Sequence, residues 1–341
     1  MEDKDIFENI PELDVNAESE MKAIRKTIRN RSWKTVAVSV VLAVAVLALT
    51  IFAFIPAVEK LYWNPYEYTY GQRSDLETTL YAYTELFNPT YTISRVSYRH
   101  FGFASYDLEI SMFTNNEQSR QAVSGTLTRG KLELDKAFFD YDTGNYGFTT
   151  RRLPGYNSPD YDKRISNEQN ERIRQQLEEL PDYFMVEAKV SFSRDISMKE
   201  LFTLREKYSQ MKVNWIAIRH TAPTSEWTPL CGMSPFASGS VFDGIYRDYL
   251  YFDRSDIREP AQAEQHFKSL LQYSADQVQD GRGIIPDGDA AFYTDVLDYV
   301  EENGVKSYGI LITASPELLL ELLDDEVLDM MSFVDIWIDL R

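Results

Sequence analysis

The chain has 341 residues, a formal net charge of −19 at pH 7 and a mean hydropathy of −0.37. Its one cysteine excludes an internal disulfide framework, and its acidic balance argues against nucleic-acid binding, which rewards clustered lysine and arginine. The negative mean hydropathy also excludes a multi-span transporter. The length accommodates one or two compact domains.

Residues 1–34 predict a cytoplasmic tail with two halves. The first half is acidic and contains four scattered apolar side chains: Ile6, Phe7, Ile10 and Leu13. The second half is basic, and its apolar residues recur three and four positions apart, as on one face of a helix: Met21, Ile24 and Ile28. The acidic half is either a solvated tail or a docking segment. The basic half either only sets topology or enters the membrane as an amphipathic helix.

Residues 35–58 run for 24 positions without a charged side chain. A helix of this length reaches about 36 Å, which is enough to cross a hydrocarbon core of about 30 Å. A buried core helix is one alternative, but core helices rarely reach this length without a polar face. A cleaved signal peptide is another, but its apolar region is shorter and ends at a small-residue cleavage site, which is missing here. The segment therefore predicts one transmembrane helix.

The charges on either side of the span predict its orientation. Six basic residues precede it with no acidic residue among them: Lys22, Arg25, Lys26, Arg29, Arg31 and Lys34. The other side begins with one Glu59–Lys60 pair, so the positive-inside rule places residues 1–34 in the cytoplasm and the C-terminal part outside. Aromatic residues that favour the outer interface follow: Tyr62, Trp63, Tyr66, Tyr68 and Tyr70. The tail has a net charge of −1, so −18 of the total falls on the outer part.

Residues 59–160 predict a β-rich outer subdomain. A short helix is expected at 74–86, with Ser74 as its cap and Glu77 as the capping-box partner. Runs rich in aromatic and β-branched residues predict antiparallel strands at 91–98, 104–115 and 122–135. Glycine, proline, asparagine and tyrosine dominate residues 141–162, which predict a connection to the next subdomain.

Residues 173–341 predict a second outer subdomain with alternating strands and helices. Strands are expected at 185–192, 213–219, 306–313 and 333–340. Helices are expected at 197–210, 264–279, 290–302 and 315–323, and a Pro/Gly/Ser-containing excursion at 221–244. Asn303-Gly304 is expected to end the third helix and Ser315 to cap the fourth. The fold class is α/β (α+β): a transmembrane helix, an antiparallel β-rich subdomain and an α/β sandwich, which suits a split β-α-β arrangement.

No residue pattern predicts a catalytic site, a metal site or a cofactor site. The histidines are far apart in sequence: His100, His220 and His266. No phosphate loop, nucleophile elbow or H-E-x-x-H motif occurs, and nothing marks a Ser/His/Asp triad. Residues 140–145 resemble the start of an EF-hand loop, but Arg151 replaces the closing glutamate, which favours a turn. Cys231 is expected to be a small buried residue rather than a nucleophile.

Several segments together resemble the sigma factor regulator family of Firmicutes, single-pass anti-sigma proteins with a short cytoplasmic segment and an outer domain. The resemblance is carried by the order of Lys22–Thr35, Tyr81–Ile110, Lys189–Leu201, Val213–His220, Gly232–Phe236 and Val300–Leu328. Two departures stand out. Residues 1–34 lack the histidine and cysteine of zinc-binding anti-sigma domains, and Ala314 replaces a family glycine.

The resemblance implies a regulator at the bacterial cell membrane whose tail holds an extracytoplasmic-function sigma factor and whose outer domain senses or transmits envelope state. Ile6, Phe7, Ile10 and Leu13 are the expected sigma contacts, because an acidic apolar segment complements the basic surface of a DNA-binding protein. The bilayer is the second partner, and a second membrane protein and an outer ligand are left open. The alternatives are an envelope binding or scaffold protein and, less favoured, an outer enzyme without a recognisable motif.

Overall fold

The computed structural model describes residues 15–59, 61–69, 73–114, 119–135, 138, 159–222, 229–236, 246–253, 257–285 and 289–338. The chain divides into two compact units, Met1–Leu61 and Tyr62–Arg341. The first unit is a membrane-type helix and the second is a mixed α and β domain, which confirms the predicted fold class.

The described part of the first unit is a long helix with a local irregularity near its end. Helix α1 covers Val15–Leu49, a π-helical turn follows at Thr50–Phe54, and α2 covers Ile55–Glu59. At the π turn the Ile55 N–H donates to the Thr50 carbonyl, five residues back. Pro56 follows directly, and proline disturbs the preceding turn because it lacks an N–H and its ring crowds a carbonyl. Among the described residues, Ser19–Ala57 is the one segment long and apolar enough to cross a membrane, which suggests a single-pass membrane protein.

Helix α3 (Asp75–Phe87) opens the regular structure of the second unit. The Ser74 hydroxyl accepts a hydrogen bond from the Glu77 N–H at 3.2 Å, so the predicted cap is present. Twelve of the 13 helical residues are buried, all except Glu77, so α3 lies inside the domain rather than on its surface.

A four-stranded antiparallel meander packs against α3. Its strands are β1 (Tyr91–Gly102), β2 (Ser105–Thr114), β3 (Arg120–Thr128) and β4 (Lys131–Leu134), in the order β1-β2-β3-β4. The single strand predicted at 122–135 is wrong, because the chain turns back at Arg129 and Gly130, both of which have positive φ (52° and 82°). Two left-handed residues in succession match the two-residue hairpin turn that suits strand twist.

The second sheet has five strands and is antiparallel throughout. Its strands are β5 (Phe184–Ser197), β6 (Lys212–Ile218), β7 (Gly232–Met233), β8 (Lys306–Ala314) and β9 (Leu328–Ile338). The order is β7-β6-β8-β5-β9. Strand β8 lies between β5 and β6, which are joined by a helix, so the β-α-β unit is split. This is the ferredoxin-like strand order, extended at one edge by β7.

Five helices accompany the second sheet in the described residues: α4 (Pro159–Glu179), α5 (Met198–Lys207), α6 (Pro260–Gln279), α7 (Phe292–Asn303) and α8 (Pro316–Leu323). The predicted caps are present, since the Ser315 hydroxyl accepts from the Leu318 N–H and Gly304 ends α7 with a φ of 76°. Helix α6 begins four residues before the predicted start, and β7 lies within the predicted excursion.

Helix α4 was not predicted, and it overlaps the connection expected at 141–162. Its sequence is polar, and only Ile173 and Leu177 in its described part are buried apolar residues. The Asn170 side chain donates to the Asp329 carbonyl at 2.9 Å and accepts from the Met331 N–H at 3.0 Å, so it pairs with the outer edge of β9.

Candidate functional site

The six basic residues predicted to set topology all lie on α1. They are Lys22, Arg25, Lys26, Arg29, Arg31 and Lys34, and every one is exposed. Between them, the Thr27 hydroxyl donates to the Ala23 carbonyl at 2.9 Å, so this polar side chain is satisfied within the helix. The predicted amphipathic helix and the predicted span are therefore one continuous helix. Such a helix carries a dense positive charge next to an apolar segment.

An apolar stripe runs along the basic part of α1. Met21, Ile24 and Ile28 are 52%, 56% and 62% exposed. Their spacing places them on one face, where neighbouring side chains three and four positions apart meet. An exposed apolar stripe flanked by charge is the arrangement that helix-in-groove binding uses. The predicted sigma contacts Ile6, Phe7, Ile10 and Leu13 lie outside the described residues.

Glu85 forms a buried junction in the second unit, and sequence reasoning missed it. Its Oε1 lies 2.9 Å from His266 Nε2 and accepts from the Ser234 N–H at 3.1 Å. The Glu85 backbone carbonyl accepts from Trp215 Nε1 at 2.8 Å. The Glu85 junction (Glu85, His266, Ser234 and Trp215) thus ties α3 to α6, to β6 and to the residue after β7.

The hydrogen bonds of the junction place a proton on one ring nitrogen of His266. His266 Nδ1 lies 2.8 Å from the Tyr251 carbonyl, which can only accept, so Nδ1 carries a proton. His266 Nε2 lies 2.9 Å from the Glu85 carboxyl oxygen that already accepts the Ser234 N–H. Both side chains are buried. The signal in the sequence was a single charged residue in the stretch 78–87 of α3.

The other residues examined for chemistry do not come together. Burial lowers the pKa of His220, and its Nε2 lies 2.8 Å from the Pro229 carbonyl. Burial raises the pKa of the Cys231 thiol, which fits the predicted structural role. The exposed His100 packs on Tyr106. No three potential ligands gather around a common point in the described part of the chain, and residues 140–145 lie outside it.

A second polar cluster lies in the five-stranded sheet. Asn214 Nδ2 donates to Glu187 Oε1 and to Thr313 Oγ1, each at 2.8 Å. Asn214 occupies the register shift between β6 and β8. Because buried polar groups need specific partners, this cluster fixes the register of three neighbouring strands.

Comparison with known proteins assigns most of the second unit to a family. Residues 177–333 match the sigma factor regulator C-terminal family, from the last turn of α4 to the middle of β9. Residues 177–333 are therefore similar to the sigma factor regulator C-terminal domain, which supports the predicted family. The family is regulatory rather than catalytic. No curated protein and no solved structure matches the chain.

The sigma factor regulator domain contains four of the six segments that carry the resemblance, and Lys22–Thr35 and Tyr81–Ile110 lie before it. Ala314, the residue that departs from the family pattern, is fully buried at the end of β8. Of the Glu85 junction, His266, Ser234 and Trp215 belong to this domain, whereas Glu85 does not. The domain is therefore attached to α3 through buried hydrogen bonds of Glu85.

Proposed function

We propose that the chain is a single-pass anti-sigma factor of the bacterial cell membrane. In this proposal the N-terminal tail lies in the cytoplasm and holds an extracytoplasmic-function sigma factor, and the second unit lies outside. The observation that carries the proposal is the combination of a sigma factor regulator domain with one N-terminal membrane-type helix.

The asymmetry of charge supports the orientation. Six exposed cations precede the apolar part of α1, and a single Glu59–Lys60 pair follows it. Positive charge within about 15–20 residues of a span is retained in the cytoplasm. A reporter enzyme that is active only outside the cytoplasm, fused after Arg341, should be active. Activity of a cytoplasm-only reporter at the same position would reverse the orientation.

The dimensions of a protein interface support the use of the whole tail. A stable interface buries about 800 Å² per partner and uses roughly 20–30 residues. Residues 1–28, which include the stripe of Met21, Ile24 and Ile28, supply that number. The acidic half complements a basic sigma surface, and the apolar side chains anchor it.

The continuity of the buried contacts supports a transmitting role for the second unit. Helix α3 follows the chain that leaves the membrane, and it is bound to the regulator domain by the Glu85 junction and by the 3.2 Å contact between Thr79 Oγ1 and Tyr273 OH. A force or a ligand acting on the regulator domain would therefore reach α3 without an intervening flexible segment.

The experiment that tests the sigma contact is a double substitution in the tail. Phe7→Asp with Ile10→Asp should release the sigma factor and raise transcription of its regulon, while membrane insertion stays intact. The matched control is Asn9→Asp with Asn16→Asp, which adds the same charge without removing an apolar anchor and should repress normally. If the first variant represses as well as the parent and the tail co-purifies with no sigma factor, the envelope-scaffold reading replaces this proposal.

A further inference from the structure

The turns at one end of the four-stranded sheet carry exposed aromatic rings. Phe101, in the β1–β2 turn region, is 59% exposed. Phe103 packs edge-on against Tyr62, with ring centroids 6.2 Å apart, and the Arg129 guanidinium lies 5.6 Å from the Phe103 centroid. We call Tyr62, Phe101, Phe103 and Arg129 the hairpin end. It brings together two hairpin turns and the first residue of the second unit.

The hairpin end is built rigidly. The β3–β4 turn packs on Trp63, the residue after Tyr62. The approach is close, since a Cβ added at Gly130 would lie 3.4 Å from the Trp63 backbone nitrogen. Trp63 itself is buried in the core. The Phe103 ring is therefore held beside Tyr62.

The charge of the hairpin end contrasts with that of the rest of the outer part. Residues 99–106 and 127–132 contain three cations, Arg99, Arg129 and Lys131, and no acidic residue. Residues 59–341 as a whole carry −18, the total of −19 less the −1 of the tail, since residues 35–58 are uncharged. Asp107 lies opposite Arg99 in the sheet, and Lys131 bonds Glu133 at 2.6 Å, whereas Arg129 is exposed at the turn and lies over an aromatic ring.

The hairpin end also lies close to the membrane along the chain. Tyr62 follows Ala57, the last residue of the candidate span, by five positions. Five residues reach at most about 18 Å when fully extended. Tyr66 and Tyr68 lie four and six positions after Tyr62, and they are 50% and 52% exposed. Aromatic rings prefer the headgroup level of a bilayer, and arginine is attracted to anionic lipid.

We propose that the hairpin end docks on the outer surface of the bilayer, with Phe101 inserted among the headgroups and Arg129 on anionic lipid. The occupant is a lipid surface rather than a protein, because aromatic rings and a cation coincide within reach of the span on an otherwise acidic domain. The proposal rests on the membrane span of the proposed function but not on the sigma partner.

The test measures the depth of one turn in the full chain, reconstituted in phosphatidylcholine liposomes with or without phosphatidylglycerol. Phe101→Cys carries an environment-sensitive fluorophore, and brominated lipids serve as quenchers. Ser94→Cys is the matched control, since it is exposed on the same strand about 24 Å away. Cys231 is buried and does not compete for the label under native conditions. We expect a loss of fluorescence at position 101, larger with phosphatidylglycerol, and none at position 94.

A second arm adds Arg129→Ser or Arg129→Lys to the labelled Phe101→Cys chain. We expect Arg129→Ser to remove the increase that phosphatidylglycerol produces and Arg129→Lys to retain it. Liposome flotation and circular dichroism verify insertion and folding of every variant. If the chain floats with the liposomes but position 101 is not quenched, or is quenched no more than position 94, docking is refuted while the span stands. Disulfide cross-linking of two unlabelled copies through position 101 would also refute it, in favour of a protein contact.

Discussion

The membrane-type part of α1 and helix α3 are both rich in apolar residues, yet they occupy opposite environments. Leu42 and Leu49 of α1 are 65% and 68% exposed, whereas Leu76 and Leu80 of α3 are fully buried. The polar side chains make the difference. The Thr50 hydroxyl, in the π turn that follows α1, donates to the Val46 carbonyl one turn before it, while in α3 Thr79 and Glu85 also contact distant elements. A lipid-facing helix satisfies its polar groups internally, and a core helix uses them to select its neighbours.

The substitution with the largest expected effect on stability removes the polar group that selects the neighbours of α3. Glu85→Ala leaves His266 Nε2 and the Ser234 N–H without their partner, and each buried polar group left unsatisfied costs about 1–3 kcal/mol. The measurement is urea unfolding of the full chain in detergent micelles. Glu302→Ala, at an exposed position on α7, is the control and should change stability by about 0.5 kcal/mol or less. Equal effects from the two variants would contradict the assigned role of Glu85.

The second test compares matched leucines. Leu80→Ala should lower the unfolding free energy of the second unit by about 2–5 kcal/mol, because it leaves a cavity in the core. Leu42→Ala should leave that unfolding transition unchanged, since its side chain faces lipid in the proposed topology. The same urea titration reports both. A comparable loss from Leu42→Ala would mean that α1 belongs to a protein core.

The third test compares matched hydroxyls. Thr79→Val keeps the shape of the side chain but removes the contact with Tyr273 OH, and we expect a loss of about 1 kcal/mol. Thr50→Val removes a hydroxyl that bonds only its own helix, and no loss is expected in the second unit. The measurement is the urea concentration at the unfolding midpoint of each variant. A larger shift for Thr50→Val than for Thr79→Val would contradict this interpretation.

The smallest effect at neutral pH concerns a second buried imidazole, that of His220. Burial lowers the pKa of His220, so below about pH 6.5 the unfolded chain binds a proton that the folded chain does not. The contribution of His220 to the free energy of unfolding is therefore fully present above about pH 6.5, and it is lost as the pH falls towards the folded-state pKa.

His220→Gln should consequently lose less stability than the parent between about pH 7.5 and about pH 5. His100→Gln, at an exposed position, is the control and should follow the parent. Denaturant titrations at the two pH values give the difference directly. An unchanged pH dependence in His220→Gln would show that other groups cause it.

Local sequence signals predicted local structure well. The caps at Ser74 and Ser315 and the end of α7 at Gly304 follow from backbone groups only a few residues away. Helix α4 escaped prediction because its apolar face is narrow, and the β3–β4 turn because strand-like residues flank Gly130 on both sides. The Glu85 and His266 side chains are 181 positions apart, and no periodicity connects residues at that separation.

Asn170 has a consequence for how copies of the chain can coexist on one membrane. Anchored domains share a thin layer, where their local concentration is high and open strand edges meet often. The primary amide of Asn170 occupies the Asp329 carbonyl and the Met331 N–H, two groups at the outer edge of β9 with which an incoming strand would pair. A single side chain thus imitates a peptide unit and blocks edge-to-edge polymerisation at that point, so crowding in the layer does not by itself produce aggregation through this stretch of β9.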